Sequence, residues 1–114
     1  MVGLRSRNKG KRGEREAAAE LTRLFNVEAR RGRQFQGSDD SPDVLVDIPD
    51  LHFEVKRCED FRLYNALAQA AADAGAKVPI VLHRQNRKPW VAIVQLDDLP
   101  RLAVQLYLAL AENN

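Results

Sequence analysis

The chain has a single cysteine, Cys58, in 114 residues. One thiol allows no intrachain disulfide and no cysteine-cluster metal site, and it fits a reducing, cytoplasmic setting. Long apolar runs are missing too: no stretch approaches the ~18 apolar residues that mark a membrane span. The first residues are basic but lack the apolar segment of a signal peptide, so no leader is expected. There is no internal repeat and no low-complexity tract. No Ser-His-Asp or Cys-His arrangement stands out. Gly10 and Gly13 do not form a phosphate-binding loop, because no strand precedes them and the Walker spacing is absent.

What is present describes one domain. Hydrophobic residues make up 45% and charged residues 30%, a balance typical of a globular chain long enough to bury a core without disulfides. The expected organisation is a flexible basic arm over residues 1–11 and a single domain over 12–114. Net charge is only +2, but it is unevenly spread. Arg5, Arg7, Lys9, Lys11 and Arg12 crowd the start without an acid. Arg30, Arg31 and Arg33 form a second basic cluster, and Arg84, Arg87 and Lys88 a third. Such clusters suit a polyanion such as nucleic acid. Residues 39–50 do the opposite, with Asp39, Asp40, Asp43, Asp47 and Asp50 and no lysine or arginine. That segment repels the same partner unless a cation neutralises it. Each cluster alone also reads as a solvated loop or tail.

Periodicity places the elements. In "GEREAAAELTRLF" the apolar positions Ala17, Ala18, Leu21, Leu24 and Phe25 follow a helical repeat. "EARRGRQFQGSDDSP" reads as an irregular connection with room for a short strand. "DVLVDI" and "LHFEVKR", separated by Pro49-Asp50, read as an antiparallel hairpin. "EDFRLYNALAQAAADAG" reads as a helix with Asp60 as N-cap, Gly75 as its stop, and a small face of Leu63, Leu67, Ala70 and Ala74. "VPIVLH" and "WVAIVQ" read as two more strands, and "DDLPRLAVQLYLALA" as a closing helix with acids at its start. Together they predict an α/β fold with one mixed sheet covered by helices.

The strands also carry the candidate chemistry. Alternation puts Phe53 and Val55 on one face of their strand and His52, Glu54 and Lys56 on the other. Glu54 and Lys56 then stand roughly 7 Å apart along the strand. If the hairpin pairs, Asp43 lies next to Glu54. Two close carboxylates need either a shared proton or a cation between them. Hard oxygen donors select Mg²⁺ or Mn²⁺, and Lys56 could steer a water or meet charge developing on a phosphate oxygen. A solvated Lys–Glu strand pair would show the same letters. At about 100° per residue, Glu14 falls within about 40° of Ala18, Leu21 and Phe25, whereas Glu16 falls about 200° away. A glutamate on the core-facing stripe is unfavourable unless it is paired, bound to metal or able to reach water.

His52 shares its face with Glu54 and Lys56 and so could touch the site, yet it reads first as a satisfied strand histidine. His83 reads as a loop or sheet-edge group, Cys58 as a small filler, and Trp90 as a core residue at a strand start rather than a stacking platform for a base.

"KGKRGERE" opening a helix, then "SPDVLV", then "FEVKR" resembles the PD-(D/E)xK nuclease superfamily, and within it the archaeal and phage Holliday-junction resolvases most of all. The likeness covers residues 9–57. It implies a restriction-endonuclease-like fold, a central mixed β-sheet flanked by helices. It also implies a Mg²⁺-dependent endodeoxyribonuclease, with Mn²⁺ as a substitute, that acts as a homodimer on branched DNA in recombination. Carried onto this sequence, Asp43 would be the bridging metal ligand and Glu54 the second, with the main-chain carbonyl of Val55 contributing. Glu14 would be a metal-associated carboxylate, Lys56 would position the attacking water, and Gln69 would be the glutamine of the following helix. Arg5, Arg7, Lys9, Lys11, Arg12, Arg30, Arg31 and Arg33 would hold the DNA backbone. Leu106, Leu108 and Leu110 read either as core or as a dimer interface. The alternative is a non-catalytic DNA-binding module with a nuclease-like fold.

Overall fold

The computed structural model describes residues 2–32 and 42–113, with side chains described from residue 10 onward in the first helix. Helix α1 spans Val2–Phe25, β1 Ala29–Arg31, β2 Val44–Val46, β3 Leu51–Arg57, α2 Leu63–Ala74, β4 Val78–Arg84, β5 Val91–Ile93 and α3 Leu99–Asn113, with a short 3₁₀ turn at Leu96–Asp98 before α3. The strands form one mixed sheet in the order β1-β2-β3-β4-β5. Only β3 and β4 pair in parallel, joined by α2 as a crossover; the other pairs are antiparallel.

Two layers cover the sheet. On one face Phe53, Ile80 and Leu82 meet Ala17, Ala18 and Leu21 of α1 and Ala109 of α3. On the other, Val81 meets Ala66, Leu67 and Ala70 of α2. The small α2 face lets its axis settle close to the strands. Val44, Val78 and Val81 are the largest fully buried side chains, each contributing roughly 1.5–3 kcal/mol by burial. Among the described residues no helix is long and apolar enough to cross a membrane.

Several expectations need correction. Residues 2–11 run as the first turns of α1 where an arm was expected, because Arg and Lys favour helix and no proline interrupts them. The connection holds β1, paired with β2 through Arg30↔Leu45. Helix α2 begins at Leu63 with Arg62 at the N-cap and no side-chain cap bond, so Asp60 does not cap it. Leu63 is exposed and Ala66 takes its place on the buried face. Gly75 does end α2, with φ 60°. His83 lies buried on an interior strand, stacked on Phe61 with ring centroids 3.8 Å apart. Glu16 does not face solvent alone: Arg84 and Arg57, long side chains from two strand ends, reach it at 3.2 and 3.5 Å.

Candidate functional site

Strand β2 meets β3 through a single aligned pair, Val44↔Phe53, and Asp43 stands where the two separate. Its main-chain N–H donates to the Phe53 carbonyl at 3.0 Å. Its Oδ2 accepts the Val55 N–H at 2.8 Å. One residue therefore grips β3 on both sides of Glu54, which sets the two carboxyl groups together. Gly32 makes room for this. Its N–H donates to the Asp43 carbonyl at 2.8 Å, and a Cβ there would collide with the Pro42 carbonyl oxygen.

The Asp43 carboxyl is set close enough to Glu54 for each to act on the other's acidity. Burial pushes the Asp43 pKa up to about 7; the Val55 N–H opposes the rise, while the charges of Glu54 and Glu14 add to it. Burial also works to raise Glu54. Hydrogen bonds from His52 and Asp43, with the pull of His52 and Lys56, outweigh it and hold Glu54 below its ordinary value. The two pKa values are thus driven apart, Asp43 upward and Glu54 downward.

Glu14 is half-buried at the N-terminal end of the α1 apolar stripe. Its Oε1 accepts a hydrogen bond from Arg31 Nε at 2.7 Å. That pair joins α1 to β1 and leaves Glu14 acting on Asp43 by charge. Val55 enters through its N–H. Lys56 lines a cavity of ≈ 410 Å³ on the α2 side of the sheet, whose wall also includes Gln69, Asn65 and Arg62. The structure therefore brings Lys56 and Gln69 to one space.

Other basic residues gather on the α1–β1 edge. Arg15, Arg30 and Arg31 line a groove of ≈ 700 Å³ with Leu45. Lys11 and Arg12 are exposed on α1. Arg5, Arg7 and Lys9 precede the part of α1 with described side chains, and Arg33, Asp39 and Asp40 lie outside the described residues.

His52, placed by alternation on the face of Glu54, has its Nε2 2.7 Å from Glu54 Oε1, both buried. Two roles were missed in the sequence: Arg31 as the partner of Glu14, and Arg15 as a groove residue, had no local signal. Among the described residues no group of three or more His, Cys, Asp or Glu side chains is arranged to hold a metal ion. No family model, no curated protein and no solved structure matches this chain.

Proposed function

We propose that this chain is a metal-dependent DNA endonuclease selective for DNA structure. The observation that carries the reading is the Asp43–Glu54 carboxyl pair, held together by the grip of Asp43 on β3, with Lys56 farther along the same strand face. Two neighbouring carboxyls, Glu54 buried and Asp43 partly so, form a site where a divalent cation can relieve their repulsion. Asp43 and Glu54 would hold Mg²⁺ or Mn²⁺, with Glu14 and the Val55 carbonyl as further oxygen donors. Such an ion, when bound, polarises a phosphate and lowers the pKa of a bound water.

The remaining roles belong to the chain itself. Lys56 would orient the attacking water and Gln69, on the same cavity wall, would flank the reacting phosphate. Lys11, Arg12, Arg30 and Arg31, with Arg5, Arg7, Lys9 and Arg33, would bind the DNA backbone, which carries shape and charge but no sequence information. A four-way junction needs two paired cuts, so the working unit is a two-fold dimer in a cytoplasmic setting. Leu106 packs on the core, but α3 leaves Val104, Tyr107 and Leu108 exposed, which supports a self-association face there.

The test is cleavage of a labelled four-way junction beside a matched linear duplex, in Mg²⁺, in EDTA, and with Lys56→Ala protein. Paired metal-dependent cuts near the crossover, lost in the variant, are expected. Equal cutting of both DNAs would keep the nuclease and discard junction selectivity. Tight binding with no cutting in Mg²⁺ or Mn²⁺ would leave a DNA-binding module without turnover.

A further inference from the structure

His52 is a buried histidine to which the proposed reaction gives no role. It is 3% exposed, and its partner is an acid of the candidate site rather than a backbone group. Nε2 lies 2.7 Å from Glu54 Oε1, and the Glu54 side chain is 9% exposed. The two residues share one face of β3, two positions apart. A carboxylate oxygen can only accept, so Nε2–H is the donor to a Glu54 carboxylate.

A glutamate side chain has three rotatable bonds, and fixing it costs rotamer entropy. Asp43 approaches this carboxyl from β2, where its own Oδ2 is held by the Val55 N–H. His52 is the buried side chain within hydrogen-bond distance of Glu54 Oε1. We infer that His52 is a positioning residue, whose Nε2–H holds Glu54 in the rotamer that a divalent cation needs. The inference rests on the nuclease reading for its biological meaning, but its first readout is metal binding without DNA. Outer partners of this kind typically change metal affinity by about 10–100-fold.

Two polar substitutions separate positioning from space-filling. In His52→Gln the amide nitrogen reaches the place of Nε2. In His52→Asn it stops at the level of Nδ1 and withdraws the donor from Glu54. Mn²⁺ binding would be followed by loss of the free-ion electron paramagnetic resonance signal, alongside urea unfolding of each variant. The Mg²⁺ concentration for half-maximal junction cleavage would be measured in parallel. The expected result is Mn²⁺ affinity about 10–100-fold weaker in His52→Asn and within about threefold of the unsubstituted protein in His52→Gln, with the Mg²⁺ midpoint moving in step. Equal affinities in the two folded variants would overturn the inference. If His52→Asn does not fold, His52→Leu takes its place under the same criterion. Mn²⁺ binding that follows this pattern in a protein that cuts no DNA would uphold the inference and sink the nuclease reading. No Mn²⁺ binding by the unsubstituted protein would overturn both.

Discussion

Asp43 Oδ2 accepts the Val55 N–H at 2.8 Å, while the Asp43 N–H donates to the Phe53 carbonyl at 3.0 Å. This carboxyl group is therefore both a strand fastener and half of an acid pair. The first role sets where the second is expressed. Most of its desolvation follows from being held against β3, and desolvation is the main reason its pKa rises to about 7.

That rise makes the fold sensitive to pH. The folded pKa of Asp43 is raised from 3.8 to about 7, so the folded state binds the proton more tightly than the unfolded chain. The associated stability is full below pH 3.8 and is lost as pH rises through about 7. Asp43→Asn mimics the protonated form: its oxygen still accepts from Val55 and its amide donates to Glu54. It should flatten the decline in stability between pH 4.5 and 8 and stabilise the metal-free protein at pH 8 by about 2–4 kcal/mol, in urea unfolding. Parallel curves for the two proteins would refute it. The same substitution should abolish metal-dependent cleavage while leaving DNA binding intact.

If the proposed cation binds at Asp43 and Glu54, it competes there with protons. The Mg²⁺ needed for half-maximal cleavage should rise as pH falls below about 7, the raised value of Asp43, by up to about tenfold per pH unit. A metal requirement flat from pH 8 to pH 5.5 would place the cation elsewhere.

Gly13 and Gly10 sit in the same helix and should respond oppositely to alanine. A Cβ on Gly13 would lie 2.5 Å from Arg57 Cβ, whereas one on Gly10 meets nothing within 4 Å. The Arg57 atom is next to the backbone and cannot swing away. Gly13→Ala should destabilise by about 1–3 kcal/mol despite its better helix propensity. Gly10→Ala should stabilise by up to about 1 kcal/mol. Thermal melts of both decide this; a stabilised Gly13→Ala would mean that α1 does not press on β3 there.

The α1–β1 groove predicts a DNA-binding phenotype for a residue outside the sequence motifs. Arg15→Ala should weaken binding to all DNAs alike and reduce the slope of log affinity against log salt by about 1. Arg15 is exposed and Glu16, not Arg15, makes the ion pairs with Arg57 and Arg84, so unfolding should not change. An unchanged salt slope would move the DNA path off this groove.

Much of the site was legible because its signals are local. Strand alternation predicted that His52, Glu54 and Lys56 share a face, and helical periodicity placed Glu14, not Glu16, on the apolar stripe. The hairpin expectation put Asp43 beside Glu54, as observed. The misreadings concern partners. Glu16 was assigned to solvent because helix geometry contains no information about arginines at the ends of β3 and β4. His83 was assigned to an edge because nothing local reveals that β5 pairs outside β4. His52 was read as a satisfied strand histidine on the face of the site, and its partner there is Glu54.

By itself the sequence determined which stretches are helix or strand, which side chains share a face, and that acids and a lysine interrupt core strands. Those properties arise from backbone periods acting over a few residues. Only the tertiary structure decided that Arg31 holds Glu14, that Asp43 grips β3 around Glu54, that burial raises the pKa of Asp43, and that Lys56 and Gln69 meet one cavity. Each of these depends on register between distant segments and on how far a carboxyl is withdrawn from water. Neither quantity is written in the spacing of residues along one strand.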